Sequence, residues 1–437
     1  MPSLRLSSLP DLAALRAAWP DQFPLLLQSA ADSGWDILFW SEASLLTWQL
    51  AEAQAFWRSF EDAAASLQPV ALTDAEQRLP FRGGWFFYLG YELLHSLEPT
   101  VALAANQDSF PVAALGRAPA ALLIERQTQQ AWLVAEDDAA LSRLQRLLDA
   151  PSPVVSFAPP TIDSAVENDP TQFLAGVDAI KRYIYEGDVF QVNLSRAWEV
   201  RLGQGCSCDQ VYASLRRANP APFAGLLDMG RWQIISSSPE RLLSLRDGKA
   251  STRPIAGTHP RSTDPAEDAQ LKARLAASLK ERAEHVMLID LERNDLGRIC
   301  RPGSVKVEEL MAVASYTYVH HIESTVSGMV RADVGPVAAL QAMFPGGTIT
   351  GCPKVRTMQI IAELESTPRR AYTGSIGYLN HDGSLDSNIL IRSFMQDGQA
   401  LRFRAGAGIV ADSDPERELQ ETRAKARGLL RALGLPT

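Results

Sequence analysis

The chain has 437 residues, 46% hydrophobic and 21% charged, the proportions of an ordinary globular protein long enough for one large domain or two smaller ones. Its formal net charge of -9 argues against nucleic acid or an anionic membrane surface as a partner, since either selects clustered Lys and Arg. No apolar run reaches the ~18 residues of a membrane span, and Met1-Pro-Ser-Leu-Arg-Leu6 lacks a signal-peptide pattern. The expectation is a cytoplasmic protein acting on small molecules or proteins. Cys206, Cys208, Cys300 and Cys352 form no Cys-x-x-Cys pair and are expected to be reduced thiols without a zinc role.

In chain order, Ala-rich helices are expected over Leu12–Trp19 and Leu50–Leu67, and a strand over Gly84–Leu89. Pro151-Ser-Pro153 and Pro159-Pro160 break the pattern and divide an N-terminal part, 1–150, from a second region, 165–437. Asp169-Pro170 places an N-cap before a proline at the first helical position; Phe173, Val177, Ile180 and Ile184 follow at helical spacing, and Gly187 stops the run. Strands are then expected over Val189–Leu194, Trp232–Ser236, Arg370–Leu379, Leu385–Phe394 and Leu401–Ala405, with helices near 265–292, 353–365 and 415–433. Short turns such as His381-Asp-Gly383 join strand to strand, so the sheets should be largely antiparallel and the class α+β rather than doubly wound.

Glu281 and Glu284 share one face of a helix, as do Glu418 and Glu421 on the last one. Two such pairs could converge on a hard cation, Mg²⁺ above all because it needs few protein ligands, or could be solvated helix faces. Lys425 stands four after Glu421, the stabilising order for an ion pair. The loop Phe344–Lys354 leads into a helix and could cradle an anion on its free amides, although no P-loop pattern fits. A second glycine stretch, Ala405-Gly-Ala-Gly-Ile-Val410, lacks the third glycine of a dinucleotide fingerprint. His320 and His321 are neighbours on a strand, so at most one faces a given site. Arg392 in an apolar strand needs an anion, either a structural carboxylate or a ligand's.

Taken together, these blocks resemble the chorismate-utilising enzymes. The resemblance runs from about Asp169 to Leu433, through Gly187-Asp-Val-Phe-Gln-Val-Asn-Leu-Ser195, Ser238-Pro-Glu240, Pro254-Ile-Ala-Gly-Thr258, Ala283-Glu-His285, Asp290-Leu-Glu-Arg-Asn-Asp295, Phe344–Lys354 and Gly406–Asp412. It implies a fold of large, mostly antiparallel sheets forming a core sandwich with helices outside, in which residues 1–150 are a divergent part of the same intertwined unit. It further implies Mg²⁺ as cofactor, held by Glu284 and Glu421 with Glu281 and Glu418 in support. Tyr372, Arg392 and the backbone of Gly406, Ala407 and Gly408 would hold the enolpyruvyl carboxylate of chorismate. Gly257, Thr258, Thr348 and His321 would lie beside the ring, Lys425 near the metal-bound carboxylate, and Glu240 would protonate the departing C4 hydroxyl.

Two positions then separate the branches. Isochorismate and salicylate synthases resemble this chain but carry a lysine at position 191 that activates water; here Gln191 is no base. Ammonia is the nucleophile left, and the resemblance implies a separate glutamine amidotransferase subunit to deliver it. Gln191-Val-Asn-Leu, Ala221-Pro-Phe223, Pro345-Gly-Gly-Thr-Ile-Thr-Gly351 and Gly374-Ser-Ile-Gly-Tyr378 resemble the branch that makes 4-amino-4-deoxychorismate for 4-aminobenzoate and folate. Ala256 points instead to anthranilate formation, since many relatives in the folate branch carry a lysine there that forms a covalent adduct. With Ala256 the folate route would pass through 2-amino-2-deoxyisochorismate. Leu26-Leu-Gln-Ser29 resembles a tryptophan-binding Leu-Leu-Glu-Ser without its carboxylate, which makes tryptophan inhibition doubtful.

Overall fold

The computed structural model describes residues 1–31, 33–68, 72–103, 108–150, 155, 157–262, 264–315 and 319–436. The proline break Pro151-Ser-Pro153 lies outside the described residues, whereas Pro159 and Pro160 lie within them. Among the described residues the chain forms a twelve-stranded and a ten-stranded sheet, whose pairings are antiparallel throughout. The α+β class read from the sequence is the class observed.

Both sheets mix early and late chain. The twelve-stranded sheet runs from Ser3–Arg5, Gln130–Ala135, Ala120–Glu125, Trp35–Trp40 and Leu25–Gln28 into Phe223–Asp228, Trp232–Ser238, Ser393–Asp397, Ala400–Ile409, Gln191–Leu202 and Gly351–Cys352. In the ten-stranded sheet, Gly84–Leu89 pairs with Ser375–Asn380. Almost fully buried side chains such as Phe39, Phe86 and Ile234 form one apolar cluster, and Phe60, Phe87 and Leu340 another. Apolar burial of this extent is the main stabilising term.

Local chemistry sets the helix ends. Asp169 accepts from Thr171 N at 2.9 Å, and Pro170–Tyr185 follows as expected, with Phe173, Val177 and Ile180 buried. The single helix expected near 265–292 is instead two, Pro265–Ala277 and Leu279–Gly297. Ser278 is extended and its hydroxyl accepts from Glu281 N at 3.4 Å, a side-chain bond that competes with helix continuation. The strand expected from Arg370 begins only at Ser375, because Arg370 and Thr373 adopt positive φ (54° and 65°) and turn the chain. The Gly406–Gly408 stretch lies inside the strand Ala400–Ile409 rather than after it.

Leu385–Phe394 is not one strand. Leu385–Asn388 belongs to the ten-stranded sheet and Ser393–Asp397 to the twelve-stranded one, so Arg392, at φ 53°, sits in a crossing between sheets rather than within a strand. Trp232–Ser238 and Arg241–Arg246 are likewise in different sheets, with Glu240 in that crossing. The two crossings bond to one another: Ile389 N donates to Glu240 O at 3.0 Å and Ser237 N to Arg392 O at 3.1 Å. Backbone leaving one ladder for the other is thereby satisfied.

Beside them a buried ionic knot fixes the Gln191–Leu202 strand. Glu365 Oε1 accepts from Ser195 N and Oγ, both at 2.8 Å, while Arg369 and Arg404 pair with the carboxylate at 2.6 and 2.9 Å. Burial pushes the Glu365 carboxyl up, but the two guanidiniums outweigh it and hold it below its ordinary value. Removing one partner leaves uncompensated buried charge. Glu365→Ala is expected to lower unfolding stability by about 3–5 kcal/mol in urea denaturation; a loss under about 1 kcal/mol would contradict this role for the knot.

Candidate active site

Glu240 is 5% exposed. Burial raises its carboxyl to about 7; Thr348, the Arg392 guanidinium, the Ile255 amide and Lys425 pull the other way without restoring the ordinary value. Glu240 Oε1 and Thr348 Oγ1 are both buried short of full hydrogen bonding, and the Thr348 hydroxyl bears on the Glu240 carboxyl. Buried polar atoms left in this state are costly, which makes the pair a candidate for holding a polar ligand. Thr348 is placed there by the short 3-10 turn Gly347–Ile349.

The glycines of Ala400–Ile409 form the floor. A Cβ on Gly406 would lie 2.8 Å from both the Leu194 carbonyl and the Tyr372 hydroxyl, so backbone there demands glycine; one on Gly408 would lie 2.3 Å from Gln191 Nε2 and would displace that amide. Gln191 is buried and donates to Glu284 Oε1 at 3.4 Å. Its amide therefore orients a carboxylate, a role its spacing in the sequence did not disclose. Ala407 is fully buried, paired with Leu194. Burial pushes the Tyr372 phenol up despite the nearby cations Arg369 and Lys425, so it remains a neutral donor.

Ala256 is 7% exposed and pairs with Ile322, and the register slips between Ala256 and Thr258. Gly257 makes that bulge at φ 62°, a conformation that costs glycine little. A Cβ there would meet Glu281 Oε2 at 3.0 Å. The side chain of Thr258 lies outside the described residues; its backbone pairs with His321. His321 Nδ1 donates to the Gly257 carbonyl at 3.0 Å, which makes Nε2 the acceptor of a neutral ring. Burial, then Arg392, lowers this imidazole to about 3, against the Gly257 bond. His320 faces the other way, to Asp268 at 3.0 Å, as strand alternation requires.

The helices Leu279–Gly297 and Pro415–Ala432 supply the acids. Lys425 Nζ pairs with Glu421 Oε1 at 2.8 Å and donates to Gly406 O at 3.0 Å. Burial lowers its ammonium, but Glu421, Tyr372 and Glu284 together outweigh it, for a net rise. Glu421 and Lys425 keep 45% and 43% of their side chains accessible. Glu284 and Glu421 thus both act on one cation. Glu281 stands at Gly257 instead, and Glu418 is 5% exposed on the inner face of its helix. Among the described residues no three His, Cys, Asp or Glu side chains are grouped to hold a metal ion. Mg²⁺ takes one or two carboxylates and keeps waters for substrate, so the pair Glu284 and Glu421 fits it without the other two.

Sequence reasoning missed Glu292 and Asp295, both buried, and Lys354, which pairs with Asp295. A signal was present: both acids fall among His285, Leu288, Ile289 and Leu296 at core spacing, where a charged residue is informative. A separate cavity of about 360 Å³ lies at Leu27, Gln28 and Ser29, against Tyr378 and Asn388. Among the described residues no helix is long and apolar enough to cross a membrane.

The chain is 42% identical over 358 residues to an anthranilate synthase component I-like protein of Synechocystis, covering 82% of this chain and 74% of that one. It is 40% identical over 378 residues to aminodeoxychorismate synthase component 1 of Bacillus subtilis, covering 83% and 80%. The solved anthranilate synthase component I of Streptococcus pneumoniae superimposes with a TM-score of 0.78 at 29% identity, covering 92% and 93% of the two chains. Residues 22–431 match the chorismate binding enzyme family, and the chain belongs to that family.

Proposed function

We propose that this chain is the chorismate-binding component of an aminodeoxychorismate synthase, making 4-amino-4-deoxychorismate from chorismate and ammonia, with the ammonia supplied by a separate glutamine amidotransferase subunit. The observation that carries the reading is Glu240: a buried acid lifted to about 7, beside Arg392 and the Thr348 hydroxyl. The four sequence blocks support the folate branch, while the relatives include members of both branches at similar identity. Ala256 supports the second reading, anthranilate formation.

In this scheme Glu284 and Glu421 would hold Mg²⁺, which when bound neutralises the ring carboxylate and makes the diene a better electron sink. Arg392, Tyr372 and the Gly406–Gly408 backbone hold the enolpyruvyl carboxylate. Ammonia adds at C2 while Glu240 gives its proton to the C4 oxygen, which leaves as water; the added nitrogen loses a proton. Gln191 cannot deprotonate water, and the Ala256 methyl cannot attack carbon, so the nitrogen comes from solution. A second ammonia then adds at C4 as the C2 amine, protonated first, departs as ammonia; the entering nitrogen gives up one proton in exchange, leaving the 4-amino product without an enzyme adduct.

Supplied with ammonium salt, magnesium and chorismate, the protein is expected to yield 4-aminobenzoate only after aminodeoxychorismate lyase is added. Fluorescent anthranilate formed without the lyase would overturn the folate reading in favour of the second. Intact-protein mass spectrometry after borohydride should show the unmodified mass, whereas a chorismate-derived increase contradicts the adduct-free route. Glu240→Gln should lower kcat/KM by roughly 10²–10⁴. In the parent, Glu240 is protonated below about 7, so kcat/KM at constant free ammonia should fall as pH rises above that value. Glu284→Gln is expected to raise the magnesium concentration needed for half-maximal rate; unchanged magnesium dependence and turnover would remove Glu284 from the metal site.

A further inference from the structure

The block Gln191-Val-Asn-Leu194 opens the strand Gln191–Leu202, and the site described above uses only the side chain of its first residue. Side chains two apart on a strand share a face, so Asn193 projects the same way as Gln191, over the glycine floor. A Cβ on Gly406 would lie 2.7 Å from Asn193 Oδ1 and 2.8 Å from the Tyr372 hydroxyl, so these two groups flank one point of backbone. The main chain of Asn193 is held at both of its polar atoms. Its N donates to Thr350 O at 2.8 Å, and its O accepts at 2.7 Å from Arg369, a guanidinium fixed in turn by Glu365. The Gln191 amide is taken by Glu284, whereas Asn193 Oδ1 is buried with no hydrogen-bond partner among the described residues. The residue as a whole is only partly covered. An unpaired buried amide oxygen costs stability that an apolar side chain of similar size would not, so its presence here is explained by a partner that arrives with a ligand.

We infer that Asn193 is a substrate-binding residue, whose side-chain amide donates to the enolpyruvyl carboxylate of chorismate beside the Tyr372 hydroxyl. The inference rests on the reading that Tyr372 and Arg392 hold that carboxylate. A carboxylate only accepts, so it takes the NH2 end of the amide. The two ends are nearly equal in size and exchange by a half-turn about the last side-chain bond. A neutral donor also suits the place. Arg392 and Lys425 already pull the Glu240 carboxyl toward its charged form, and a further cation would work against the proton that Glu240 must give. An amide adds a hydrogen bond to the ligand without adding charge.

The test is a calorimetric titration with chorismate in magnesium and without ammonia, which reads binding apart from amination. It compares the parent with Asn193→Val, Tyr372→Phe and the double variant, with thermal unfolding of the ligand-free proteins alongside. Asn193→Val should weaken binding roughly tenfold, while the melting temperature stays level or rises because an unpaired buried oxygen has gone. The double variant should lose less than the product of the two single losses, since both donors serve one carboxylate. Asn193→Asp keeps the shape but replaces the donor by a repelling oxygen; it should bind more weakly still, and it keeps the inference testable if the valine variant does not fold. Binding within about twofold of the parent, in Asn193→Val or, should that not fold, in Asn193→Asp, overturns the inference. So do weakened binding of Asn193→Val with a lower melting temperature, which marks a residue of the fold, and single losses that multiply in the double variant. If Asn193→Val binds as the parent does while Tyr372→Phe binds weakly, only the role of Asn193 fails; if both bind as the parent does, the placement of the carboxylate at Tyr372 fails as well.

Discussion

The paired crossings between the two sheets are the constraint on which the rest of the site depends. At Ser238–Arg241 and Asn388–Ser393 the chain leaves one ladder for the other, and the two crossings satisfy each other's backbone through Ile389 to Glu240 and Ser237 to Arg392. That arrangement buries an acid and a guanidinium side by side between layers that exclude water. Glu240 moves from 4.5 to about 7, which corresponds to about 3 kcal/mol favouring the protonated form. Arg392 loses charge affinity to burial and regains part of it from Glu240. Neither group would be tuned in this way on the surface of either sheet.

A second, more accessible group of charges also bears on Glu240 through Lys425. Glu284 and Glu421 come from helices far apart in sequence and meet in the field of one ammonium, Lys425, which is also anchored to the Gly406 carbonyl. A side chain at Gly406 would strike backbone, and one at Gly408 would displace the Gln191 amide that bonds Glu284. In the proposed scheme Glu284 and Glu421 would act on the ring carboxylate through a metal, while Arg392 holds the enolpyruvyl carboxylate beside the acid Glu240.

Much of this was legible in the sequence and some was not. The Asp169-Pro170 helix start follows from capping chemistry alone, and the antiparallel α+β class follows from strands joined by short turns. The acids at 281, 284, 418 and 421 were visible as helix faces; spacing did not say which pair would meet, and it was the family resemblance that singled out Glu284 and Glu421. Glu281 turns toward Gly257 because Gly257 makes a bulge, a tertiary outcome with no local signature. Arg392 read as strand because the apolar run Ile389–Ile391 leads directly into it. Periodicity does not register a change of sheet in mid-run. The role of Gln191 as the holder of Glu284 was equally hidden, since a long-range contact leaves no spacing to count.

The central claim is that burial at the paired crossings keeps Glu240 protonated near neutral pH. Infrared difference spectroscopy between the parent and Glu240→Gln, recorded just below pH 7, tests it most directly. The account predicts that the substitution removes a carbonyl stretch of a protonated carboxylic acid. Loss of carboxylate bands instead, with the protonated-acid region unchanged, would contradict it.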